Sequence, residues 1–208
     1  MTTTKTKVKT KLSVAALSAA TLIILANPQT WAKSTRTVHL QESGSLTTVP
    51  LDLDADNSSD LSGLGIYSGK SSLGRFTGQG VTESDPDLSG TGCSGPPPFD
   101  RHGVRCELPD RSSGCSIHAV AGSDVIRFDS TGDLLFLTNE LGPGCLNFSN
   151  GLLAGSGNTG EVAGGTGKFS GATGTLTSKF KGGILSADAA GRAFIWFVTN
   201  INMTLSLP

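Results

Sequence analysis

The sequence predicts an all-β domain, a barrel or sandwich of short antiparallel strands, and three observations carry that expectation. All 28 glycines fall after residue 32, so about 16% of the remaining chain is glycine against a usual ~7%. Several short runs alternate apolar and polar side chains, the period of a half-buried strand. Beyond the first 32 residues no segment shows a 3.6-residue apolar period with caps, so nothing reads as a helix. Many strands joined by many tight turns follow from these features.

Residues 1–32 are set apart. Lys5, Lys7, Lys9 and Lys11 form a positive start, residues 12–26 are an apolar stretch of 15 residues, and Thr30-Trp31-Ala32 is a small-x-small cleavage site. This is the pattern of a secretory signal peptide, and the stretch is shorter than the roughly 20 apolar residues of a membrane span. The expectation is a cleaved signal at 1–32 and one domain over 33–208, secreted or periplasmic. Losing four lysines leaves 12 basic against 17 acidic side chains, a net charge of −5. A mildly acidic chain without clustered Lys or Arg has no electrostatic affinity for nucleic acid or an anionic membrane.

Along the domain, Arg36-Thr37-Val38-His39-Leu40-Gln41 alternates and is the first expected strand. Glu42-Ser43-Gly44 reads as a turn, residues 46–53 resume an extended pattern, residues 52–60 are acidic, and 68–72 read as loop. Residues 73–82 are the next strand, although its glycines weaken a regular ladder. Residues 83–114, with Asp85-Pro86-Asp87, Gly95-Pro96-Pro97-Pro98 and Pro109-Asp110, are too rich in Pro and Gly for regular structure apart from a short piece at 103–108. Further strands are expected at 116–120, 124–130, 133–138, 145–153, 173–180 and 183–187. Ala193-Phe194-Ile195-Trp196-Phe197-Val198-Thr199 is a near-continuous apolar run suited to a strand buried on both faces, and residues 201–207 return to strict period two.

Cys93, Cys106, Cys115 and Cys145 form an even set in a chain routed to an oxidising compartment, and read as disulfides before metal or catalysis. No Cys-x-x-Cys spacing favours zinc. Of three possible pairings, the favoured one is Cys93–Cys106, stapling the irregular segment, with Cys115–Cys145 tying two strands.

Glycines concentrate at Gly164-Gly165-Thr166-Gly167-Lys168-Phe169-Ser170-Gly171-Ala172-Thr173-Gly174, a turn or bulge in which Phe169 fills the core and Lys168 sits at the rim. Gly74-Arg75-Phe76-Thr77-Gly78 repeats the form Gly-cation-Phe-hydroxyl-Gly, one strand-bending device used twice. A phosphate loop is excluded, because Val162 stands at its first Gly and Phe169 at its hydroxyl position. The motif built on Gly164, Gly165, Gly167, Phe169, Gly171 and Gly174 resembles the Gly-Gly-Thr-Gly-Lys/Arg-Phe signature of the dirigent and allene oxide cyclase barrel superfamily, in the version of its uncharacterised exported bacterial branch. The resemblance covers residue 116 to the C-terminus. It implies an antiparallel closed barrel of eight strands with an apolar interior, and no catalytic residue can be carried over from it.

Asp52, Asp54 and Asp56, with Ser58 and Asp60, alternate in the manner of a calcium loop, but Asn57 replaces its glycine and Gly63 its bidentate Glu, so an acidic solvated turn competes with Ca2+ as the reading. His39, His102 and His118 lie in no motif; a barrel-facing His acting with Asp124, Asp129 or Asp133 is one reading, and surface or hydrogen-bonded histidines without a catalytic role are the favoured one. The functional expectation is an exported non-enzymatic barrel that binds a small apolar ligand or serves in the cell envelope. A barrel enzyme of the cyclase, isomerase or dirigent type and a calcium-dependent interaction module are the alternatives. An open cavity with inward acidic or basic groups favours the enzyme; a solid core disfavours it.

Overall fold

The computed structural model describes residues 34–49, 53, 61–86, 105–147, 149–188 and 192–208. The expected signal at 1–32, Cys93, His102 and the acidic positions Asp52, Asp54 and Asp56 lie outside the described residues. The strands are β1 (Ser34–Val49), β2 (Leu61–Ser71), β3 (Gly74–Pro86), β4 (Arg105–Glu107), β5 (Ser113–Phe128), β6 (Leu134–Leu146), β7 (Leu152–Gly165), β8 (Thr173–Ala187) and β9 (Ala193–Leu207). Among the described residues the one helical piece is a 3-10 turn, Gly167–Phe169.

All pairings are antiparallel, in the order β3-β2-β1-β9-β8-β7-β6-β5-β4, and β3 also pairs with β5. Eight strands therefore close into a ring, with β4 attached outside it along β5. Closure leaves those eight strands without a free edge. Period two then sorts each strand into an inward and an outward row: Val38, Leu40 and Glu42 of β1 and Ile201, Met203 and Leu205 of β9 are buried in alternation with exposed neighbours.

One end of the interior is filled. Phe76, Ile126, Phe128, Leu135, Leu137, Phe169, Met203 and Leu205 are at most 1% exposed. Phe128 stands between the two Gly-cation-Phe devices, its ring 6.0 Å from Phe76 and 5.0 Å from Phe169. The glycine motif is the β7–β8 connection: Gly164, Gly167 and Gly171 take positive φ, a conformation natural only to glycine, and the turn drops Phe169 into the ring as a plug. Lys168 stays outside with its ammonium 4.9 Å from the Phe169 ring and 5.0 Å from that of Phe128. Both halves of the expected role, rim cation and core plug, are met.

Several expectations are corrected. Glu42-Ser43-Gly44 is no turn; β1 runs through it, and Gly44 serves a close approach, since a Cβ there would stand 2.6 Å from Tyr67 Cβ. The 68–72 loop is largely β2, whose inward row Gly63-Gly65-Tyr67 holds a single large side chain while Leu64 and Ile66 face out. Residues 145–153 contain a turn: Asn147 accepts from the backbone N–H of Ser149 and Asn150 and ends β6. The runs at 193–199 and 201–207 are one strand, and with Phe194 41% exposed the first is not buried on both faces.

The disulfide pairing also differs. Cys106 is joined to Cys145, with Cα atoms 5.8 Å apart, and Cys115 is in a disulfide too, so neither Cys93–Cys106 nor Cys115–Cys145 forms. The register gives the reason. Cys106 lies opposite Gly114 on β5, and Cys145 lies on the far neighbour β6, opposite Ser116. A Cβ on Gly114 would stand 2.8 Å from Cys145 Sγ, so the bridge passes over a β5 position that has no side chain.

Candidate functional site: an acid-floored cavity in the open end of the ring

The other end of the ring is hollow. A cavity of about 220 Å³ is bounded by Leu46, Val81, Ile117, Leu146, Leu153, Phe180, Ile195 and Phe197, among others, and its inner end by Glu42, Tyr67, Asp124, Glu140 and Thr199. The walls come from the C-terminal parts of β1, β3 and β6, the N-terminal parts of β5, β7 and β9 and the stretch of β8 up to Phe180. The polar residues follow one step deeper on the same inward rows, directly against the filled half. They form a floor between the apolar cavity and the aromatic core.

The backbone is tailored to that floor. Gly44 and Gly78 lie opposite Tyr67 on its two neighbouring strands; a Cβ at Gly78 would stand 2.2 Å from Tyr67 Cε2. Gly80 lies opposite Asp124, and a Cβ there would stand 1.6 Å from Asp124 Oδ1. The glycines of β3, which as a strand pattern only suggest weakness, are the spaces into which Tyr67 and Asp124 are set.

The electrostatics are those of acids crowded away from water. Burial raises the Asp124 carboxyl above its usual range, against the opposing effect of hydrogen bonds from Glu140 and Tyr67. Burial raises Glu140 well above the carboxylate range, and the neighbouring charges of Asp124 and Glu42 and its hydrogen bond to Asp124 act in the same direction. Glu140 thus holds a proton and donates it to Asp124, which also accepts from the Tyr67 hydroxyl; two carboxyls in contact cannot both ionise. Glu42 is pushed up to about 8 by burial first and by the Asp124 charge second, with a hydrogen bond to Thr199 opposing. Tyr67 is raised by burial and by the surrounding acids, so it remains a neutral donor. Asp124 and Glu140 keep some solvent exposure, but as cavity-lining residues they meet it in a narrow apolar chamber.

Among the described residues two buried acceptors have no partner, Glu42 Oε2 and Asn158 Oδ1, each on a residue lining the cavity. Among the described residues no Lys, Arg or His lines it. The described histidines lie elsewhere, His39 exposed with Nδ1 2.6 Å from Asn202 Oδ1 and His118 exposed on β5; of the three candidate aspartates only Asp124 reaches the interior. Glu83, fully buried, belongs to a separate contact in which Oε2 accepts from the Leu53 N–H at 2.7 Å and Oε1 from Ser62 Oγ at 3.3 Å. Among the described residues no group of three or more His, Cys, Asp or Glu is arranged to hold a metal ion, and no helix is long and apolar enough to cross a membrane.

The sequence reading missed Glu42, Tyr67 and Glu140. A signal for one existed in Val38-x-Leu40-x-Glu42, where the acid continues the apolar row in phase. Comparison with known proteins adds nothing to this geometry: no family model, curated protein or solved structure matches the chain.

Proposed function

We propose that the chain is an exported eight-stranded β-barrel that binds a small, largely apolar molecule in its open end. The observation carrying this reading is the cavity itself, apolar on its walls and polar only at its floor, which is the composition of ligand sites in general. Its volume of about 220 Å³ exceeds the ~150 Å³ void that takes up a benzene. The signal-like residues 1–32, the oxidised cysteines and the Gly164–Gly174 motif at the plugged end support the export route and the likeness to the dirigent and allene oxide cyclase superfamily. Mass spectrometry of small molecules extracted from protein purified under native conditions is expected to find one near stoichiometric amount. A clean extract, together with a melting temperature that no apolar compound shifts, rejects the reading.

The Asp124–Glu140 pair favours a second reading, a barrel enzyme of the cyclase or isomerase type. Two carboxyls sharing a proton beside an apolar chamber can lend and recover that proton, as general acid–base catalysis requires. On this reading Asp124→Asn abolishes conversion of the bound compound while its binding persists. Conversion that survives the substitution leaves simple binding as the function.

A further inference from the structure

We propose that the molecule held in the cavity carries a cationic nitrogen, an apolar amine whose ammonium group seats on Glu42 at the cavity floor. The inference rests on the cavity being a ligand site and adds the chemical class of the ligand. Three acids, Glu42 on β1, Asp124 on β5 and Glu140 on β6, converge at the inner end, and the lining residues from β2, β3, β7, β8 and β9 contribute no base. A site with this surplus of acid rejects a carboxylate and favours a cation.

Glu42 shows where the cation goes. One carboxyl oxygen is engaged by Thr199; Oε2 has neither a hydrogen-bond partner nor contact with solvent, a costly state for a carboxyl oxygen. The last torsion of a Glu side chain is broad, so a small rotation turns Oε2 toward the chamber the residue already lines. Asn158 Oδ1, the other buried acceptor without a partner, lines the same chamber and offers a second place for an N–H. Tyr67, Phe180 and Phe197 supply ring faces, which attract a cation. An ammonium that seats beside protonated Glu42 displaces the carboxyl proton to solvent and leaves an ammonium–carboxylate pair of zero net charge, so burial does not oppose it as it opposes a lone ion. Among the described lining residues none is the base that a carboxylic ligand would need.

The test is a matched series that differs only in the head group: 2-phenylethylamine, 2-phenylethanol and phenylacetate, titrated into the folded protein at neutral pH by calorimetry. The amine is expected to bind about tenfold or more tightly than the alcohol, as a charge-assisted contact should, with phenylacetate weakest. Glu42→Gln is expected to bring the amine-to-alcohol ratio close to one, while Lys168→Ala at the opposite end leaves it in place. Equal binding of amine and alcohol overturns the inference and leaves the cavity reading standing. Binding by none of the three compounds rejects the cavity reading and the inference with it. A ratio that survives Glu42→Gln, with a normal melting transition, also overturns the assignment.

Discussion

The same eight strands build two opposite interiors, one filled and one hollow, and the contrast between them shows which half holds the ring together. At one end the Phe128 ring lies 6.0 Å from that of Phe76 and 5.0 Å from that of Phe169, and all three side chains are at most 1% exposed. At the other, the inward rows carry Gly65, Gly80, Thr48, Ser84 and Ala119 between widely spaced large residues, and a chamber remains. Burying apolar area stabilises the fold wherever it occurs; leaving a chamber and surrounding it with uncompensated acids does not. The plugged end thus offsets what the open end costs.

Replacing the plug and replacing a floor acid should therefore act in opposite directions. The largest effect is expected for Phe169→Ala, which removes a fully buried ring and should lower stability by about 3–5 kcal/mol, read as the midpoint of chemical denaturation. An effect under about 1 kcal/mol would mean that the plug is dispensable and that the two ends differ less than their geometry says.

Next comes the pH dependence. Glu42, with its folded value raised to about 8 from 4.5, and Asp124 and Glu140, raised as well, bind protons more tightly in the folded protein than in the unfolded one. Folded stability is thus fully present below pH 4.5 as far as Glu42 is concerned and declines as the pH rises to about 8, by a few kcal/mol for this group. Glu42→Gln should flatten that decline and raise the melting temperature at pH 8. A profile of the variant that still falls as steeply would move the effect to Asp124 and Glu140 alone.

Gly80→Ala is expected to cost about 1–3 kcal/mol, because its Cβ would meet Asp124 Oδ1; pairing it with Asp124→Ala should recover most of the loss. The smallest effect is expected for Lys168→Ala, about 0.5–1 kcal/mol for an exposed ammonium on two ring faces, checked against Lys168→Gln to separate charge from chain length.

The plugged end was the more legible of the two in the sequence. Phe76 and Phe169 stand in repeated glycine settings, and residues 201–207 alternate without a break, so the core of that end reads directly. The open end is written in residues that look like interruptions. Glu42-Ser43-Gly44 has turn composition, yet as strand its Glu faces in and its Gly admits Tyr67. Residues 154–165 of β7, with few large apolar side chains and a bulge at Gly157, show no alternation to detect. Asp124 lay among several possible acids, and only the bulges in β5 and β6 decide which of them point inward. The cystine link depended on a third residue, Gly114, that pairing rules for cysteines do not consider.

The closure of the ring has a consequence for how the molecule comes to be folded. Its seam joins the first described strand to the last, Ser34 opposite Leu207, so the contact that completes the structure is among those most distant along the chain. Such contacts form slowly, and β1 cannot find this partner until the whole domain has been synthesised. Until then the inward rows and the edges of β1 and β9 are bare, and a growing chain in that state is prone to pair with its neighbours. A closed ring is thus a late, all-or-nothing event in the life of this chain.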